Sequence, residues 1–273
     1  MAPSQHLIKL DFRDYFRIEH STNCMNDFLE IRDGRHGYNK IKEHPFCGEN
    51  FPPLITSSDR HLWIHFKSDD NIEDKGFKAI YEFVPRPPSL KTPEIIPCYI
   101  NLTQPYEGFL ERGDIPSYII DFNIKHDLPI DCLWNITVEE NWGIYLQFDK
   151  FTLERPNDCD SNFVQVFSNS TDTQQIKMFC GSIADTVLSK SNKMFLRFYS
   201  VSKNEKTMFK ANYTAYRDII SGKEDKCNSD DQFYCEDATC IHKSLECNDK
   251  FNCRSRFDED GCQYLKIGLC RYD

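Results

Sequence analysis

No run of about 18 apolar residues that could span a bilayer as a helix occurs in the sequence, and the stretch Met1 to His6 lacks the apolar core of a secretion signal. Nor is there a basic surplus. The 33 Lys and Arg stand against 43 Asp and Glu, a formal charge of −10, and no Lys/Arg stripe gathers anywhere, which argues against nucleic acid as a partner. There is no Gly-x-Ser-x-Gly, no His-Glu-x-x-His and no phosphate loop, and the eight histidines are scattered. The motifs that bring a nucleophile to a base, or leave a metal open to substrate, are therefore missing, and the expectation is a protein that is not an enzyme.

Cysteine, by contrast, is plentiful. Thirteen are spread over most of the chain rather than gathered in paired Cys-x-x-Cys clusters, which points to disulfides and an extracellular setting. Four Asn-x-Ser/Thr triplets, at Asn101, Asn135, Asn169 and Asn212, are glycosylation acceptors in such a setting. An oxidised chain without an export signal reads as a piece of a longer protein whose signal and membrane anchor lie outside it. The 273 residues leave room for about two domains.

Their pattern is all-β. Leu7 to Phe12 alternate apolar and polar, Phe28 to Gly34 form a strand ending in an Asp-Gly turn, and Leu62–Phe66 and Phe77–Phe83 follow after the Pro52-Pro53 break. These short strands with turn signals between them fit a β-sandwich over residues 1–84. Residues 85–97, with five prolines, read as an extended linker. A second module spans 98–216 and repeats the first. Ile8, Leu10 and Phe12 match Ile144, Leu146 and Phe148 at an offset of 136. Glu19, Cys24, Asp27 and Phe28 match Glu154, Cys159, Asn162 and Phe163 at 135, and Phe77-Lys78-Ala79-x-Tyr81 matches Phe209-Lys210-Ala211-x-Tyr213 at 132. Small one-directional offset changes are what loop deletions in a duplicated domain produce. The stretch Cys98 to Trp134 has no counterpart in the first copy, so the first sandwich reads as N-terminally truncated. A polar connector at 217–226 leads to six cysteines within 227–262, a segment too short to fold without covalent or metal staples, and a tail at 263–273 carries Cys270.

Cys24-x-x-Asp27-Phe-Leu-Glu-Ile-x-Asp-Gly, Phe46-Cys47-Gly48, Trp63-Ile64-His65-Phe66-x-Ser-Asp69 and Gly76-Phe77-x-Ala79-x-Tyr81 resemble CUB domains, disulfide-linked β-sandwiches of extracellular proteins. The last segment resembles an LDL-receptor class A module through Phe233-x-Cys235, Cys240-Ile241, Cys247-x5-Cys253 and Asp258-Glu259-x-x-Cys262. In the order CUB, CUB, class A, and with Phe46 to Pro53 and His61 to Asp69, the chain resembles the extracellular region of the neuropilin and tolloid-like (Neto) family. That resemblance implies a single-pass membrane protein on the extracellular side of the plasma membrane, postsynaptic, acting as an auxiliary subunit of kainate-type ionotropic glutamate receptors and in their synaptic clustering.

The resemblance also implies site residues. Calcium in the first CUB domain would be held by Glu19, Asp27 and Asp69, while the second copy keeps Glu154 but has Asn162 and Val201 at the other two places and is expected to bind none. In the class A module the cage would use side chains of Asn248, Asn252, Asp258 and Glu259 with carbonyls of Leu245 and Lys250. The family commonly has Asp at both Asn positions, so two charges are lost and a weakened affinity is expected. Six cysteines alone leave 15 pairings open. The resemblance selects Cys227–Cys240, Cys235–Cys253 and Cys247–Cys262, with Cys24–Cys47, Cys98–Cys132 and Cys159–Cys180 in the sandwiches. Two other readings stand beside this one. One is the regulatory CUB/class A arm of a protease. The other is a secreted or endocytic adaptor receptor that captures lysines with the class A acids, nine against four basic residues within 227–262.

Overall fold

Alternating apolar residues build the first long strand, β1 (His6–Arg17), which runs five residues beyond the alternation legible in the sequence. The pattern breaks at Arg13–Tyr15, where Asp14 takes a left-handed φ of 68° and the register shifts, so that Phe16 returns to the interior. The computed structural model describes residues 1–90, 93–201, 205–219, 227 and 230–262, and the chain divides into two units, Met1–Ile96 and Pro97–Asp273.

In the first unit β2 (Phe28–Arg32), β3 (Ile55–Thr56), β4 (Trp63–Lys67) and β5 (Gly76–Pro85) follow, all antiparallel, as a sheet β3-β1-β5 and a ribbon β2-β4. Leu10, Phe12, Phe16 and Ile18 of one layer meet Leu29 and Ile31 of the other in the core. Burying one such side chain contributes about 1.5–3 kcal/mol. The proline-rich stretch beyond β5 is not free of the unit. Glu94 accepts hydrogen bonds from Ser4 Oγ (3.0 Å) and the Gln5 amide (3.0 Å) and pairs with Arg60 (2.9 Å), and these bonds hold its carboxylate below the usual range although burial pushes the other way.

The second unit begins with β6 (Cys98–Leu102), β7 (Glu107–Glu111), helix α1 (Ser117–Lys125) and β8 (Ile130–Thr137). The helix departs from the all-β pattern of the sequence, and Pro116 at its start and the buried Ile119 mark it. Then come β9 (Gly143–Thr152), β10 (Asn162–Ser168), β11 (Lys177–Phe179), β12 (Val187–Ser189), β13 (Lys193–Ser200) and β14 (Met208–Asp218). They form two sheets, β11-β10-β13-β8-β6 and β12-β9-β14 with β7 on the far side of β14.

The two sandwiches share one register. Leu10 pairs with Tyr81 as Leu146 does with Tyr213, and Leu29 pairs with Phe66 as Val164 does with Phe198. They differ in cover. In the second sandwich β8 lies beside β13 and Phe198 is 0% exposed, whereas among the described residues no strand of the first pairs with the other edge of β4 and its Phe66 is 46% exposed.

The cysteine-rich segment is built on β15 (Gln232–Tyr234) and β16 (Thr239–His242). Arg217 and Asp218, expected in a connector, instead continue β14 and pair with Cys240 and Thr239, so the segment extends a sheet of the second sandwich. The structure closes the pairs 24–47, 98–132, 159–180, 227–240, 235–253 and 247–262. Residues 91–92 of the proline stretch, 220–226 of the connector and 263–273 with Cys270 lie outside the described residues.

Tyr213 sits fully buried on β14, donating its hydroxyl to Gln104 Oε1 at 2.7 Å. Its ring fills the space where a side chain on Gly108 would stand, 2.4 Å from an added Cβ. Burial pushes its pKa up to about 12. The folded state therefore holds this proton where the unfolded chain has lost it, so the stability it contributes is present below pH 10 and declines as pH rises from 10 to 12. Denaturant midpoints at pH 8, 10 and 11.5 should fall over that range in the natural chain and fall less steeply in Tyr213→Phe.

Candidate metal centre

Three loops of the first unit converge at one edge of the sandwich. Glu19 follows the end of β1, where Ile18 bridges Gly48. Gly48, at φ +78°, makes the turn after Cys47, and the Cys24–Cys47 bridge ties the 19–27 loop to that turn. Asp27 stands one residue before β2 and Asp69 two residues after β4. Because Phe28 pairs with Lys67, the antiparallel register brings Asp27 beside Ser68 and Asp69. Asp27 Oδ1 accepts from the Asp69 amide at 2.8 Å, and its Oδ2 accepts from Ser68 Oγ at 3.2 Å. The Asp69 carboxylate in turn accepts from the Asn71 amide at 2.9 Å.

Ligand oxygens of Glu19, Asp27 and Asp69 lie within 4.8 Å of one another, the one such convergence of acidic, His and Cys side chains among the described residues. Glu19 and Asp27 are buried, Asp69 less so. Asn26 Nδ2 donates to Glu19 Oε1 at 2.7 Å, while Glu19 Oε2 is buried without a hydrogen-bond partner. An unsatisfied buried carboxylate oxygen is costly, and three carboxylates facing one another repel. A hard divalent cation that takes six to eight oxygens answers both, with carbonyls and water completing the shell. The residues fit calcium.

The matching place in the second sandwich is built differently. Glu154 Oε2 accepts from the Lys206 amide at 2.7 Å. Asn162 donates its Nδ2 to the carbonyl of Arg155 at 2.7 Å and also to that of Asp158 at 3.3 Å, so the amide does the loop-tying inside the protein. Val201, exposed, offers no side-chain oxygen.

In the small module Asp258 is fully buried, and burial raises its carboxyl above the usual range against the lowering effect of amide hydrogen bonds. Its Oδ2 accepts from the Asn252 amide at 2.6 Å. Asp258 Oδ1, Asn252 Oδ1 and Glu259 Oε1 are buried and lack hydrogen-bond partners. Asn248 Oδ1 accepts from the Lys250 amide at 3.0 Å, closing a turn, and Leu245 is packed in the module core. The three orphaned oxygens are of the kind a hard cation takes, and the resemblance would add the side chain of Asn248 and the carbonyls of Leu245 and Lys250 to them.

Of the glycosylation triplets, Asn101, Asn169 and Asn212 are exposed. Asn135 is half-buried in mid-strand with its Nδ2 donating to Asn101 Oδ1 at 3.2 Å. Among the described residues no helix is long and apolar enough to cross a membrane.

The CUB domain family matches residues 1–81 and 113–213. Neuropilin and tolloid-like protein 2 of Homo sapiens is 32% identical over 270 residues, which cover 97% of this chain and 49% of that protein. Neuropilin and tolloid-like protein 1 of Mus musculus is 31% identical over 266 residues, 96% of this chain and 48% of that protein. The chain spans about half the length of these relatives. Among solved structures, that of the MASP-1 CUB2 domain bound to calcium is 19% identical, covers 43% of this chain and 100% of that one, and has a TM-score of 0.33.

Proposed function

This chain belongs to the CUB-domain family, and from that premise we propose that it works as a non-enzymatic extracellular interaction protein whose first CUB domain presents loops ordered by calcium to a receptor. The observation that carries the reading is the convergence of Glu19, Asp27 and Asp69 with a buried, unpaired Glu19 Oε2. Bound there, calcium would cross-link three loops into one rigid surface, which lowers the entropy a partner must remove on binding. The small module holds a second, weaker calcium through Asn252, Asp258 and Glu259. The second CUB domain holds none at the matching place.

The partner in this reading is a kainate-type glutamate receptor subunit, and the protein is its auxiliary subunit at the postsynaptic membrane. Similarity to neuropilin and tolloid-like proteins over nearly the whole chain supports that choice. Co-precipitation of the full-length parent with kainate receptor subunits in millimolar calcium is the test. The intact parent should bind, and the Glu19→Ala/Asp27→Ala parent should lose most of that binding. An intact parent that fails to bind removes the kainate receptor as partner, and a double variant that binds as well as the parent removes the role of the site.

A further inference from the structure

The small module and the second sandwich lie in one unit, and one carboxylate of the sandwich reaches Asn252, one of the module's residues with an unpaired buried oxygen. Strand pairing, ring stacking and a carboxylate join them. β14 continues into pairing with β16, the Tyr106 ring stacks on His242 with centroids 3.7 Å apart, and Glu107 on β7 grips two residues of the module. Glu107 Oε1 accepts from Lys250 Nζ at 2.6 Å, and its Oε2 accepts from Asn252 Nδ2 at 3.1 Å. Thr214, which pairs with Glu107 across β7 and β14, places its Oγ1 3.1 Å from the same Nδ2. Asn252 itself is 5% exposed.

Two oxygens of the sandwich thus face one end of the Asn252 amide. They fix which end is which, because turning the amide over would set its oxygen against a carboxylate. With Nδ2 committed to Glu107, Oδ1 faces the other way and is left without a partner in company with Asp258 Oδ1 and Glu259 Oε1. The geometry points to Glu107 as a positioning residue for the module's cation site: the second sandwich orients a ligand that the module carries, so that cation binding and docking of the module stabilise each other. The inference rests on the reading of Asn252, Asp258 and Glu259 as a calcium site.

It also accounts for an amide at position 252. A carboxylate there would add charge for the cation but would face Glu107 with no proton to donate. An amide accepts toward the cation and donates toward Glu107 at once. Lys250 neutralises the same carboxylate from its other oxygen without touching Asn252 Nδ2.

Calcium titration calorimetry on the full chain carrying Asp27→Ala, which silences the first CUB site, isolates the module's site. Glu107→Ala should weaken calcium binding about tenfold, the usual scale for losing a partner that orients a metal ligand. Glu107→Gln, which still accepts from the amide, should recover most of it. Asn252→Asp gives the sharpest readout. It should weaken calcium binding beside Glu107 and strengthen it beside Glu107→Gln, a reversal of sign that a merely structural role for Glu107 does not produce. If the Asp27→Ala chain binds calcium in a manner removed by Asp258→Ala, yet Glu107→Ala changes nothing, or if Asn252→Asp acts with one sign in both backgrounds, the positioning role is overturned and the calcium site stands. If no calcium signal depends on Asp258, the site and the inference fall together.

Discussion

Replacing Asp27 by Ala is expected to weaken calcium binding at the first CUB domain on the order of a hundredfold, because the change removes a buried ligand charge and also the acceptor that holds the Asp69 loop. The effect should appear twice. In titration, the tighter of the chain's calcium events disappears. In thermal unfolding, calcium at a hundred times its Kd should stabilise the first unit of the natural chain by about 2.7 kcal/mol and that unit of the variant by only about 0.4 kcal/mol. Because Asp27→Ala also loses two hydrogen bonds that need no metal, Glu19→Gln is the cleaner companion. It keeps an acceptor for Asn26 Nδ2 while removing a charge, so its calcium-free stability should be close to that of the parent and only its calcium response should shrink. Glu154→Ala should leave calcium binding unchanged. A calcium signal lost in Glu154→Ala and kept in Glu19→Gln would reverse the assignment of the two domains.

Asp131→Ala should produce the largest loss of stability in the second unit. Its carboxylate makes a two-pronged pair with Arg197, Nε to Oδ1 and Nη2 to Oδ2, both at 2.7 Å. Arg197 is buried on the sheet face, holds Gln165 Oε1 at 3.0 Å and lies over the rings of Phe163 and Tyr199 at 5.3 and 5.1 Å. Removing the carboxylate takes from the buried guanidinium the anion that meets it with two hydrogen bonds. Breaking a buried pair from one side costs about 3–5 kcal/mol, whereas replacing both partners with apolar groups of similar volume is often nearly neutral. The expected order of denaturant midpoints is therefore the parent first, Asp131→Leu/Arg197→Met next and Asp131→Ala last. A single variant more stable than the double would show that Arg197 finds solvent or another partner when released.

Much of this was legible in the residues. The duplication showed in offsets that slid from 136 to 132, and the shared pairing register of Leu10 with Tyr81 and Leu146 with Tyr213 is the physical form of that repeat. A period of two marked the strands because alternate side chains point to one face. The same period failed at Arg13–Tyr15, since a bulge inserts residues that belong to neither face, and β1 therefore ran past its apparent end. Helix α1 was missed in a stretch rich in Ile and Phe, residue types shared with strands. The apolar run could not separate the two states, and only Pro116 hinted at a helix start.

Site residues were legible where a motif fixed them and hidden where a neighbouring domain supplied the chemistry. Glu19, Asp27 and Asp69 are 50 residues apart in the chain and came together by resemblance alone. Their convergence depends on the Phe28–Lys67 register, which no local pattern states. Glu107 gave no signal at all. It lies 145 residues before Asn252, in a stretch without a counterpart in the first sandwich, and its role exists only because β14 carries the small module alongside β7.

In the function proposed above the first domain holds calcium and the second does not. Crystals of the chain grown in calcium, with data collected at a wavelength where calcium scatters anomalously, test it most directly. The expected result is an anomalous peak among Glu19, Asp27 and Asp69 and none beside Glu154 and Asn162. A peak beside Glu154, or an empty centre among the first three carboxylates at saturating calcium, would contradict it.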